Sequence, residues 1–138
     1  PLRLPKRNNR PMNDLITHRG FFGDKEHAFC LTDPMLAELE ALTGLGVGAM
    51  YFQLVNMAFP AEALREIIRL GLIGAGTAPE AAKRLCDTYA SNRPLAETFP
   101  LAFEIMEARW TGTGKDQTPE DVAQAADDDF DVFTKAAA

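Results

Sequence analysis

Residues 18–44, HRGFFGDKEHAFCLTDPMLAELEALTG, constrain the fold of this chain more than any other stretch: two short strand-like runs around a Gly-Asp turn lead straight into a capped amphipathic helix. From Leu15 to Phe22 the residues mix β-branched and aromatic types, and from Glu26 to Leu31 they alternate, with Phe29 and Leu31 on one face. Gly23-Asp24-Lys25 fits the reversal between them, because glycine takes the positive φ of a hairpin turn at little steric cost. A lone two-stranded ribbon is marginal in water, so the predicted hairpin must lay an apolar face on the helices that follow it.

The first helix has a mechanism for starting and one for stopping. Thr32 and Asp33 are good N-cap types, Pro34 suits the first turn, and Met35, Leu36, Leu39 and Leu42 recur at helical steps. Gly44 is placed to end the helix in a left-handed cap. This helix is expected to share an apolar seam with the hairpin.

Four further helical stretches follow. One runs from about Val47 to Met57, with Met50, Tyr51, Leu54, Val55 and Ala58 as its apolar set, and Phe59-Pro60 closes it. The next, from Pro60 to Leu72, presents Leu64, Ile67, Ile68 and Gly71 on one face and offers the outer i,i+3 pairs Glu62 with Arg65 and Glu66 with Arg69. A fourth covers about Pro79 to Ser91, with Ala82, Leu85, Cys86 and Tyr89 inward, and Asn92-Arg93-Pro94 stops it. The last pattern, Leu95, Phe99, Ala102, Phe103, Met106 and Trp110, crosses Pro100. A helix opened at Pro100 with Thr98 as its cap costs less strain than a helix kinked there.

The fold class is therefore α+β and mainly α: an N-terminal β-hairpin packed on a bundle of four to five short helices, spanning residues 15–114 as a single domain. A flexible basic leader is expected over 1–14, where Arg3, Lys6, Arg7 and Arg10 crowd, and an acidic, mobile tail over 115–138. Met12-Asn13-Asp14 reads as a natural beginning, so PLRLPKRNNRP reads as leader sequence.

Composition narrows the function classes. The chain has 138 residues, 46% of them hydrophobic and 25% charged, which suits one globular domain. A net charge of −6 argues against a nucleic-acid partner, since affinity for phosphate backbones comes mainly from Lys and Arg. No apolar run approaches the ~20 residues of a membrane span, so no membrane partner is expected and the default location is cytoplasmic. Cys30 and Cys86 lie far apart; Cys86 falls on an apolar helical face and reads as a small free-thiol hydrophobe rather than half of a disulfide.

No reaction chemistry stands out. Gly44, Gly46 and Gly48 follow a helix instead of a strand, and Gly71, Gly74 and Gly76 are in the wrong order for a phosphate-binding loop. His18, His27 and Cys30 match no closed zinc pattern, and His27 and Cys30, three apart on a strand, point to opposite faces. Ser91 is the only serine and lacks a nucleophile elbow. Glu38, Glu40, Glu104 and Glu107 read as solvated helix faces. Neither catalytic, cofactor nor metal residues are assigned. Interaction through a surface remains. Large aromatics at helical spacing are mostly core, but adjacent Phe21 and Phe22 must point to opposite faces of a strand, leaving one ring exposed. Phe21, Phe22 and the neighbouring Arg19 are the candidate partner-binding residues.

His18-Arg19-Gly20, then Phe29-Cys30-Leu31-Thr32, then Leu36 to Gly44 (LAELEALTG), then Leu64 and the Ile67 to Gly76 run, in this order and spacing, resemble the tail assembly chaperone family of gene transfer agents and related tailed phages, also labelled tail tube proteins. The resemblance covers about Leu15 to Gly114. It implies a small non-enzymatic cytoplasmic protein whose partners are the tape measure protein, the tail tube protein or both, with self-association as a further option. The alternative it implies is a structural tail tube or tail completion component that stays in the particle.

Overall fold

The computed structural model describes residues 12–113. The leader and tail expected at 1–14 and 115–138 lie outside these, except that Met12–Asp14 begin a short 3-10 turn, Met12–Ile16. Strands β1 (Thr17–Phe22) and β2 (Lys25–Cys30) form an antiparallel hairpin in the register His18↔Phe29, Gly20↔His27 and Phe21↔Glu26. Five helices follow: α1 (Asp33–Thr43), α2 (Val47–Val55), α3 (Ala61–Gly74), α4 (Pro79–Tyr89) and α5 (Leu95–Thr111). The mainly α, α+β architecture is the one the sequence predicts.

Local chemistry accounts for most boundaries. Gly23 at φ 67° makes the hairpin turn. His27 Nε2 lies 2.9 Å from Asp24 Oδ1 across that turn, and this hydrogen bond holds the Asp24 carboxyl below its usual range. Thr32 caps α1 by accepting from the Met35 N–H at 3.4 Å, and Gly44 ends it at φ 75°. The start of α2 is capped from a distance: Glu40 Oε2 accepts the Val47 N–H at 2.8 Å, so Glu40 is not simply a solvated charge.

The centre of the molecule is α3. Beyond the predicted Leu64, Ile67, Ile68 and Gly71, it also buries Ala63, Leu70 and Leu72, because neighbours surround it on more than one side. The hairpin rests on α3 and α5, and α1 rests chiefly on α3. The expected seam between hairpin and first helix is thus bridged by α3, with Phe29, Leu31 and Leu39 all in one core cluster. At the top of α3 a Cβ on Gly74 would fall on the Cys30 carbonyl oxygen, so only glycine lets the helix end meet the strand end.

Several expectations are corrected. α5 runs unbroken through Pro100. The bond lost there falls in the first turns, and buried Thr98 together with Phe99, stacked 5.3 Å from Phe59, holds the turn before the proline in helical register. Leu42, Val55, Leu95 and Trp110 sit at apolar positions yet are exposed, and α2 ends at Val55, short of Met57. Arg65 turns from Glu62 to Asp87 (2.9 Å) and Ser91 (3.1 Å), tying α3 to α4, whereas Arg69 and Glu66 pair as expected at 2.6 Å. Lys83 joins Asp87 at 3.0 Å, and the bonds from Lys83 and Arg65 lower the Asp87 pKa. Cys30 and Cys86 are both free and buried.

Candidate functional site

Two surfaces stand out. The first is the hairpin tip. The pleat sends Phe22 inward, 5% exposed, and Phe21 outward, 71% exposed. Phe22 packs edge-on against Phe29 and against Tyr89 of α4, with centroids 6.3 and 6.0 Å apart. It is an internal anchor, so of the three candidate partner-binding residues only Phe21 and Arg19 face solvent, on the outer face of β1. Phe21 borders a groove of about 360 Å³ between the hairpin, α4 and α5, lined by Gly23, Tyr89, Arg93, Thr98 and Leu101. Arg93 at its edge is held by Glu97 at 3.0 Å.

The remaining candidate donors, His18, His27 and Cys30, do not converge on one point. The imidazole of His18 faces Phe29 and lies with Nε2 3.1 Å from Glu104 Oε1, at ion-pair distance but without hydrogen-bond alignment. His27 serves the turn, and Cys30 lies on the opposite face of the strand from it. Among the described residues, no three His, Cys, Asp or Glu side chains converge as a metal site, and no helix is long and apolar enough to cross a membrane.

The second surface is the outer side of α2. Tyr51 is clamped: its ring stacks between Trp110 and Phe103 of α5, and its hydroxyl donates to Glu107 Oε1 at 2.7 Å, which raises the Tyr51 pKa. With that side fixed, Phe52 and Val55 point to solvent, and Met57 follows them just past the helix end. The aromatic assignment alone misses this patch. The readable signal is the lack of any charged residue between Glu40 and Glu62, in a chain where a quarter of residues are charged.

At the far end of α5, Arg109 donates to the Leu31 carbonyl (3.1 Å) and to Asp33 (2.7 Å), and Thr113 bonds the backbone at Asp14 and Leu15, both at 2.8 Å. These ties close the hairpin-and-helices body at the strand-to-helix junction.

The described body thus carries two exposed apolar surfaces, one at the hairpin tip and one on α2. Residues 16–112 match the family described as phage tail tube protein, GTA-gp10, and the chain belongs to that family. No curated protein and no solved structure matches the chain.

Proposed function

We propose that this chain is a non-enzymatic tail assembly chaperone that binds the tape measure protein while the tail of a gene transfer agent or phage-like particle is built, acting in the cytoplasm of the producing cell. The observation that carries the reading is Phe21, a large ring held in solvent at the rim of a groove by a strand whose next residue is a core anchor. An apolar ring beside an open groove suits reversible capture of an apolar helical segment, read through a few anchors. Binding to a segment that otherwise aggregates stabilises it by mass action and releases it when tube subunits compete.

Co-expression with the tape measure protein of the same particle tests this. Retention in a pull-down and a gain in tape measure solubility are expected, both lost in Phe21→Asp with the helical content unchanged; no retention and no gain sink the proposal. The family description fits a second reading equally well, a structural tail component that stays in the particle. Mass spectrometry of purified particles separates the two, since a tube subunit is abundant there and a chaperone is absent.

A further inference from the structure

A further groove, of about 480 Å³, runs between strand β2 with its turn and the side of α4. Lys25 from the strand and Arg84 from the helix line it, both exposed, and half-buried Leu85 and Tyr89 give it an apolar part. Among the described residues, Arg65, Arg69, Lys83, Arg93 and Arg109 stand in ion pairs, whereas Arg19, Lys25 and Arg84 do not, and the last two meet in this groove. Asp24 also lines it, but its carboxylate is already engaged by His27 at 2.9 Å. Two cations are therefore left without a counter-charge at one site, in a chain of net charge −6.

We propose that residues 127–133 of this same chain, DDDFDVF, dock in this groove. Composition selects the segment: it sets the carboxylates of Asp127, Asp128, Asp129 and Asp131 beside the apolar Phe130, Val132 and Phe133, a combination found in no other stretch of the chain. Each kind of side chain has its counterpart, carboxylates for Lys25 and Arg84, rings for Leu85 and Tyr89.

Chain length agrees. The Thr113 N–H donates to the Leu15 carbonyl at the foot of β1, and the groove begins at Lys25, which pairs with Phe22 at the other end of that strand. At about 3.3 Å per strand residue these points lie roughly 20–25 Å apart. Residues 114–126 separate Thr113 from the segment, and a chain of that length spans about 20 Å as a coil and about 45 Å when extended. A tether that matches its span holds the segment at an effective concentration on the order of millimolar. The basic leader is the rival for the same carboxylates, because Thr113 also bonds the Asp14 carbonyl and so brings the two ends of the described body together. Arg3, Lys6, Arg7 and Arg10 match the charge, but residues 1–11 hold no aromatic side chain to meet Phe130 and Phe133, whereas the groove supplies both cations and a ring.

Cross-linking of the full chain with a carbodiimide, which joins an amine directly to a carboxylate in contact with it, followed by peptide mass spectrometry, is the test. Lys25 should link to carboxylates of residues 127–131, and a mixture of isotope-labelled and unlabelled chains should show the link to lie within one chain. Lys83, 3.0 Å from Asp87, is the internal control and should link to Asp87. The Lys25 link should fall about fivefold or more at about 0.5 M salt, where exposed charges are screened, and by as much in Arg84→Gln and in Phe130→Ser. The two variants separate docking in the groove from diffuse charge attraction. Arg84 is exposed and Phe130→Ser alters no residue of the described core, so helical content should stay unchanged in both. No link at Lys25, links to Lys6 in its place, links only between chains, or a Lys25 link indifferent to both variants overturns the proposal. Because no tape measure protein is present, failure here is distinguishable from failure of the chaperone reading.

Discussion

Tyr51 and Trp110 stack with ring centroids 4.5 Å apart and planes 6° from parallel, and through this pair the second helix is fixed to the fifth. The stack continues along α5: Tyr51 lies 6.2 Å from Phe103, Phe103 lies 5.8 Å from Phe99, and Phe99 meets Phe59 from the α2–α3 connection. Five rings thus form a ladder between α5 and the segment that carries α2. Tyr51 alone in it combines a central ring with a hydrogen bond, to Glu107.

Tyr51→Ala should therefore cost about 3–5 kcal/mol, the range for removing a packed aromatic side chain. Tyr51→Phe keeps the stack and loses only the bond to Glu107, so its cost should be about 0.5–1.5 kcal/mol. Urea denaturation followed by Trp110 emission measures both. Equal losses in the two variants would place the energy in the hydroxyl and contradict the stacking account.

The hairpin and the first helix were legible because their signals are local. Gly23 reverses the chain by its own conformational freedom, and Thr32 and Gly44 mark helix ends through backbone geometry a few residues away. That one ring of the Phe21-Phe22 pair is exposed followed from the pleat alone, whereas the packing of Phe22 on Phe29 and Tyr89 decides that it is Phe21. The α2 surface was not legible in the same way, since Val55 and Trp110 occupy helical positions that read as core. Their exposure depends on which side Tyr51 turns to α5, a relationship across 59 positions of chain between Tyr51 and Trp110. The bonds from Glu40 to Val47 and from Arg109 to Leu31 were hidden for the same reason: residue type permits them, but only tertiary placement chooses them. Pro100 shows local preference overruled, because packing of Thr98 and Phe99 holds a helical turn that the proline disfavours.

Gly23 is constrained twice. Its φ of 67° disfavours any side chain, and a Cβ there would run into the Tyr89 ring. Gly23→Ala should destabilise by more than the ~1–2 kcal/mol that left-handed backbone costs an L-residue. In a Tyr89→Ala background the ring is gone and the same change should fall back toward that backbone cost. Thermal unfolding of the four proteins of this double-mutant cycle checks the coupling, and strict additivity would show that the ring yields freely.

Leu39 is fully buried on α1, in the cluster that joins α1 to α3 and the hairpin strand. Leu39→Ala should cost about 2–5 kcal/mol from lost burial and the cavity left behind. Leu42→Ala, one turn on but exposed, should stay within about 0.5 kcal/mol, as surface substitutions generally do. The pair, compared by chemical denaturation, tests the facing of α1: similar losses at both sites would mean that the helix is rotated from the orientation described.

Cys86 gives the fold an alkaline limit. Its thiol is buried among α3 and α4, and burial pushes its pKa up from 9.0 to about 11, with the nearby Arg65 and Arg69 acting weakly in the other direction. Well below pH 9 the thiol is protonated in both folded and unfolded chains, and it contributes no pH dependence. Between pH 9 and about 11 the unfolded chain releases this proton while the folded one keeps it, so stability falls as pH rises, by at most roughly 1.4 kcal/mol per pH unit from this group. Tyr51, whose pKa is raised above 10.0 chiefly by its bond to Glu107, adds a loss of the same sign at higher pH. Urea midpoints at pH 8, 9, 10 and 11 should decline in the wild type, and Cys86→Ala should flatten the decline between 9 and 10, where Tyr51 contributes least. Parallel profiles for the two proteins would show that the thiol ionises in the folded state as readily as in the unfolded one.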